Sequence, residues 1–134
     1  MEVKFRDSHA DNIKSDLLVI PLREKQLDYP ALRAVDRRLK GHLRGRIDKS
    51  KFTGAEGSAL LYATAGNLPA AQILLIGLGS APVAADAWRK AGARARKEAQ
   101  AIGAGDIALW FAPDKELENS AAAALVEGAQ LAAY

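Results

Sequence analysis

The stretch "QILLIGLG" (72–79) constrains the fold more than any other part of the chain. Its apolar residues run without the alternation of a strand that has one wet face, so as a strand it must be covered on both sides. "DLLVIPL" (16–22) has the same character. Two such strands call for a sheet with helices packed on its faces. The remaining segments supply them. "VKF" (3–5) reads as a short opening strand, and Pro30 opens a helix because its fixed φ suits a first turn. Behind it Leu32, Val35, Leu39 and Leu43 recur at helical spacing as a core-facing stripe, with Gly41 and Gly45 weakening the C-terminal end.

"SKFTGAEGS" (50–58) is a Gly-rich loop, "ALLYAT" (59–64) a strand and "GNLP" (66–69) a turn. From 84 to 102 a second helix sets Trp88, Ala91, Ala95, Ala99 and Ile102 on one face. "DIALWF" (106–111) is a strand, and a last helix is expected from about Asn119, a potential N-cap. The order is β-β-α-β-β-α-β-α, an α/β fold with a mixed sheet flanked by helices in three layers. At 134 residues the expectation is one domain, 1–134. The last helix reaches Tyr134 without a stop signal, so the protein is expected to continue past it.

Several chemistries are excluded at once. With no cysteine there is no disulfide, thiolate metal site or cysteine nucleophile. The charged N-terminus does not read as a secretory signal, and no apolar run approaches the length of a membrane span, which makes a cytoplasmic protein the expectation. The Gly77-x-Gly79 turn lacks the third glycine of a dinucleotide fingerprint, where Pro82 stands instead. No Gly-Lys-Ser/Thr of a P-loop occurs. His9 and His42 have no companions at metal-ligand spacing. Ser58 and Ser80 sit beside glycines, but not in a nucleophile elbow. Asp114, Glu116 and Glu118 read as the charged approach to the last helix. No catalytic set emerges.

The net charge of +3 is unevenly spread. Arg33 to Lys51 holds eight basic and two acidic residues, while Glu98 to Tyr134 holds one and six. Arg33, Arg37, Lys40 and Arg44 would line one side of the first helix, and Lys90, Arg94 and Lys97 repeat the spacing on the second. Such stripes suit phosphates or an acidic partner, and equally the solvated side of ordinary amphipathic helices. Three tyrosines, two tryptophans and three phenylalanines are too few for a base-stacking platform.

The chain resembles the N-terminal domain of the leucyl aminopeptidase (cytosol aminopeptidase) family. The likeness rests on "SDLLVIPL", "DKSKFTGAEGSALLYAT", "ILLIGLGS" with "AWRKAGARARKEAQAIGA", and "LVEGAQLAAY", in the family's order and over nearly the whole chain. The resemblance implies a macro-domain-like fold. It also implies a longer metallo-aminopeptidase in which two divalent metals, zinc or manganese, lie in a separate C-terminal catalytic domain. That domain's Gly-Lys-Gly-x-x-Phe-Asp-Ser-Gly-Gly and Asn-Thr-Asp-Ala-Glu-Gly-Arg segments do not occur here, so no catalytic, cofactor or metal residue carries over. What it leaves this domain is subunit contact in a hexamer and a part in shaping access to the active site. Some family members bind DNA, which keeps a DNA-binding or regulatory module as the alternative. An ADP-ribose-binding macro domain is disfavoured, because Ile20-Pro21-Leu22-Arg23 stands where such domains carry Asn-Ala-Ala-Asn.

Overall fold

The computed structural model describes residues 2–5, 13–24, 30–80 and 85–110. His9, the acidic group at Asp114, Glu116 and Glu118, and the expected last helix lie outside the described residues. The elements are β1 (Glu2–Phe5), β2 (Ser15–Arg23), α1 (Pro30–Arg38), α2 (His42–Ser50), β3 (Ala59–Ala63), β4 (Ala70–Gly79), α3 (Ala85–Ile102) and β5 (Asp106–Leu109). They form one five-stranded sheet in the order β1-β5-β2-β4-β3. Every neighbouring pair is parallel except β3 with β4, so the sheet is mixed as expected.

Alternate residues of the strands feed two cores, which is why the runs at 16–22 and 72–79 had to be apolar throughout. Leu18, Ile20, Leu22, Leu60, Ile73 and Leu75 pack against Leu32, Val35 and Leu39 of α1 and Leu43 and Ile47 of α2. Leu17, Val19, Leu74, Ile76, Leu78 and Ile107 pack against Trp88, Ala91, Ala95 and Ala99 of α3. Three layers result. The small alanines let α3 lie close to the sheet, and Trp88 fills the space near its start.

One expectation is corrected. The helix opened by Pro30 is two helices, because Lys40 (φ 58) and Gly41 (φ 78) both turn left-handed between them. Gly41, the N-cap of α2, has no side chain to cap with. Asp36 of α1 replaces it: the Arg44 amide donates to Asp36 Oδ1 at 3.0 Å. The carboxylate thus satisfies an orphan donor in the first turn of the next helix.

Pro21 stands in the central strand β2, a position where a missing N–H normally breaks a ladder. Trp110 N–H donates to Val19 O at 3.0 Å, so Val19 faces β5, and Pro21, two residues on, faces the same way. Among the described residues the β2–β5 register runs to Val19 and Leu109, and the proline lies past the last of these pairs.

Candidate functional site

In open α/β sheets, ligands bind outside the carboxyl ends of the strands, where successive connections leave for opposite faces. Here that place is between β2 and β4. The chain leaving β2 covers one face with α1 and α2, and the chain leaving β4 covers the other with α3. The crevice so defined is occupied by the protein's own Gly-rich loop. Gly79 N–H donates to Gly54 O at 2.9 Å, and on the β3 side of β4 Gly77 N–H donates to Ser58 O at 2.8 Å. On the other flank, a Cβ on Gly54 would come within 3.2 Å of Arg23 O and 3.1 Å of Glu24 Cα at the end of β2. A Cβ on Gly77 would overlap the Ala55 carbonyl oxygen, Ser58 Oγ and the Gly54 carbonyl carbon. Ser80 Oγ–H donates to Glu24 Oε2 at 3.0 Å, closing the rim from β4 to β2. The glycines of the Gly-Leu-Gly turn thus admit a neighbouring stretch of backbone. Gly79 (φ 78) and Gly54 (φ 89) also take conformations that other residues resist.

The histidine and serines weighed from sequence have ordinary places. His42 is exposed at the start of α2, and Ser58 Oγ–H donates to Ala55 O inside the loop. Among the described residues no group of three or more His, Asp or Glu side chains could hold a metal ion, so these residues do not fit a metal centre. No helix among the described residues is long and apolar enough to cross a membrane.

The basic residues fall into two sets. Arg33, Arg37, Lys40 and Arg44 are exposed around the α1–α2 junction, with Lys40 in the turn instead of on a continuous helix face. Lys90, Arg94 and Lys97 are exposed on α3. The two sets are on opposite sides of the sheet, because their helices build opposite cores. Several are paired along their own helix: Arg44 with Asp48 at 3.3 Å, Lys90 with Asp86 at 3.3 Å and Arg94 with Glu98 at 2.9 Å. Exposed i,i+4 pairs of this kind contribute only about 0.3–0.5 kcal/mol each. Arg33, Arg37 and Lys40 have no ion-pair partner among the described residues.

Sequence reasoning marked the Gly-rich loop but missed its role at the crevice and the part of Asp36. The loop's glycines were the available signal. Nothing local pointed from Asp36 to an amide eight residues on.

Fold and site define a macro-domain-like α/β module in which, among the described residues, the Gly-rich loop reaches into the strand-end crevice. The macrodomain of Mycobacterium tuberculosis DarG superposes with a TM-score of 0.71 at 11% identity, over 97% of this chain and 91% of that one. A mutant of tomato leucine aminopeptidase superposes with a TM-score of 0.86 at 24% identity, over 100% of this chain and 28% of that one. Residues 19–134 match the cytosol aminopeptidase family, N-terminal domain. The chain belongs to that family as its N-terminal domain. A probable cytosol aminopeptidase of Syntrophotalea carbinolica is 36% identical over 128 residues, covering 93% of this chain and 26% of the relative. One from Alkaliphilus oremlandii is 32% identical over 142 residues, covering 100% and 28%. The chain thus spans about a quarter of the length of these relatives.

Proposed function

We propose that these 134 residues are the non-catalytic N-terminal domain of a longer aminopeptidase, on residues 1–134, and that they serve subunit assembly and access to the active site. The observation that carries this reading is the family match over residues 19–134 by a chain covering 26% of a relative named as an aminopeptidase. The whole protein would release N-terminal residues from peptides in the cytoplasm, as a hexamer. Its two divalent metals, zinc or manganese, would polarise the scissile carbonyl and activate water in the catalytic domain. The described residues of this chain do not fit those metals, and no step is assigned to them. The test is to assay the purified chain on leucine p-nitroanilide with added manganese or zinc, and to read its source gene beyond the Tyr134 codon. No turnover, and an open frame leading into the two metal-binding segments, is the expected result. Turnover by the chain alone, or a stop codon there, overturns the reading.

A second reading rests on Arg33, Arg37 and Lys40, exposed cations without an ion-pair partner among the described residues. In that reading the α1–α2 surface contacts DNA phosphates. The double variant Arg37→Ala, Arg44→Ala then weakens DNA binding and lowers its salt slope by about two. Undetectable binding by the unmodified chain at low salt rejects it.

A further inference from the structure

Among the described residues β3 is an edge of the sheet, and its backbone parity can be read from the bonds that flank it. Gly77 N–H donates to Ser58 O at 2.8 Å, and Thr64 N–H donates to Ala71 O at 3.1 Å. With the antiparallel register Leu60↔Leu75 and Tyr62↔Ile73, the even-numbered residues turn their N–H and C=O groups toward β4. Ala59, Leu61 and Ala63 therefore turn theirs outward. None of the three has a hydrogen-bond partner on that side among the described residues.

Exposed edges are normally protected by lysine, proline or a bulge. This one has none of these within the strand: "ALLYA" carries no charge, and no charged residue lies between Glu56 and Asp86. Leu61 and Tyr62 are half-buried and Ala63 is exposed.

We propose that β3 pairs antiparallel with β3 of a second copy about a two-fold axis at Leu61. The argument for a second copy over any other strand is self-complementarity. Rotation about that axis brings Ala59, Leu61 and Ala63 opposite Ala63, Leu61 and Ala59 of the partner. All the outward groups of both copies then find partners, in about six hydrogen bonds. Cross-strand neighbours are Leu61 with itself on one face and Leu60 with Tyr62 on the other, aliphatic and aromatic contacts that favour pairing. No like charges meet, so the surface is compatible with its own copy in charge as well as in register. Five residues a side bury less than the roughly 1,000 Å² of a stable interface, so the chain alone forms a weak, concentration-dependent dimer. The pairing gives the assembly role proposed above a definite surface and rests on that reading for its setting in a longer protein.

The test is amide exchange by NMR on the 134-residue chain, dilute and at about millimolar concentration, beside sedimentation equilibrium. The amides of Leu60 and Tyr62, bonded to β4, should exchange slowly at both concentrations. Those of Ala59, Leu61 and Ala63 should exchange quickly when dilute and slow by about tenfold or more when concentrated, in step with dimer formation. Ala63→Pro removes one outward N–H per copy without touching the β4 ladder. It should weaken the dimer about thirtyfold, the effect of two hydrogen bonds at their usual net value. If that variant does not fold, Ala59→Lys with Ala63→Lys sets like charges opposite and should abolish pairing, while Ala59→Lys with Ala63→Glu should restore it. No protection at the three amides at high concentration overturns the proposal. Self-association without that protection overturns it too, and leaves assembly to another surface.

Discussion

Replacing Gly77 by alanine tests whether the strand-end glycines serve the protein's own loop. The residue's φ is not in the left-handed region, so alanine meets no backbone penalty there, and the whole effect comes from space. The added methyl would overlap Ala55 O, Ser58 Oγ and the Gly54 carbonyl carbon, two of them backbone atoms held by the loop. To admit it the loop must withdraw from β4. Three backbone hydrogen bonds are then at stake: Gly77 N–H to Ser58 O at 2.8 Å, Gly79 N–H to Gly54 O at 2.9 Å and Gly57 N–H to Gly77 O at 3.3 Å. At about 1 kcal/mol net for each, the loss is about 3 kcal/mol, the upper end of the usual overpacking penalty. For a domain of this size that lowers Tm by about 10 °C. Thermal unfolding followed by circular dichroism, without any ligand, is the assay. A glycine kept clear for a bound nucleotide would leave the ligand-free melt almost unchanged. A Tm for Gly77→Ala within about 2 °C of the parent therefore refutes the reasoning.

Gly45 is the control: it lies exposed within α2, a Cβ there would have nothing within 4 Å, and Gly45→Ala should raise stability by about 0.5–1 kcal/mol in urea unfolding. Asp36→Ala removes the acceptor for the Arg44 amide and should cost about 1 kcal/mol by the same measurement, with Asp36→Asn retaining most of it. Trp88 is 2% exposed beneath α3, and Trp88→Ala should cost about 3–5 kcal/mol, seen as a lower urea midpoint at an unchanged slope.

The parts of the fold that were legible are those in which a local pattern and its tertiary use coincide. The apolar runs at 16–22 and 72–79 are strands because both faces are covered, and Trp88, Ala91, Ala95 and Ala99 are buried because they share one side of α3. The break at Lys40 and Gly41 was hidden by the same logic. Leu39 and Leu43 both reach the core, so the hydrophobic period runs on unbroken while the backbone changes direction. What stabilises that change, Asp36 on the Arg44 amide, spans two helices and has no signature in either. The candidate site was legible only as a glycine-rich loop and a glycine-rich turn. Their meeting depends on where β2 ends, since Gly54 packs on Glu24 as well as bonding to Gly79.

This meeting bears on where a partner can act. A small-molecule site needs a concave place with a few converging polar groups. At the carboxyl ends of β2 and β4, the Gly79 amide that would serve one already donates to Gly54, and the Gly77 amide is turned to the β3 side, where it donates to Ser58. The basic side chains do not converge either, since α1 and α2 carry one set and α3 the other, with the sheet between them. Among the described residues, outward-facing backbone without partners is found instead along β3, at Ala59, Leu61 and Ala63. The Gly77→Ala melt tests whether the loop is seated against β4, and the β3 amides test whether the uncharged edge pairs, so the two features are separated by experiment.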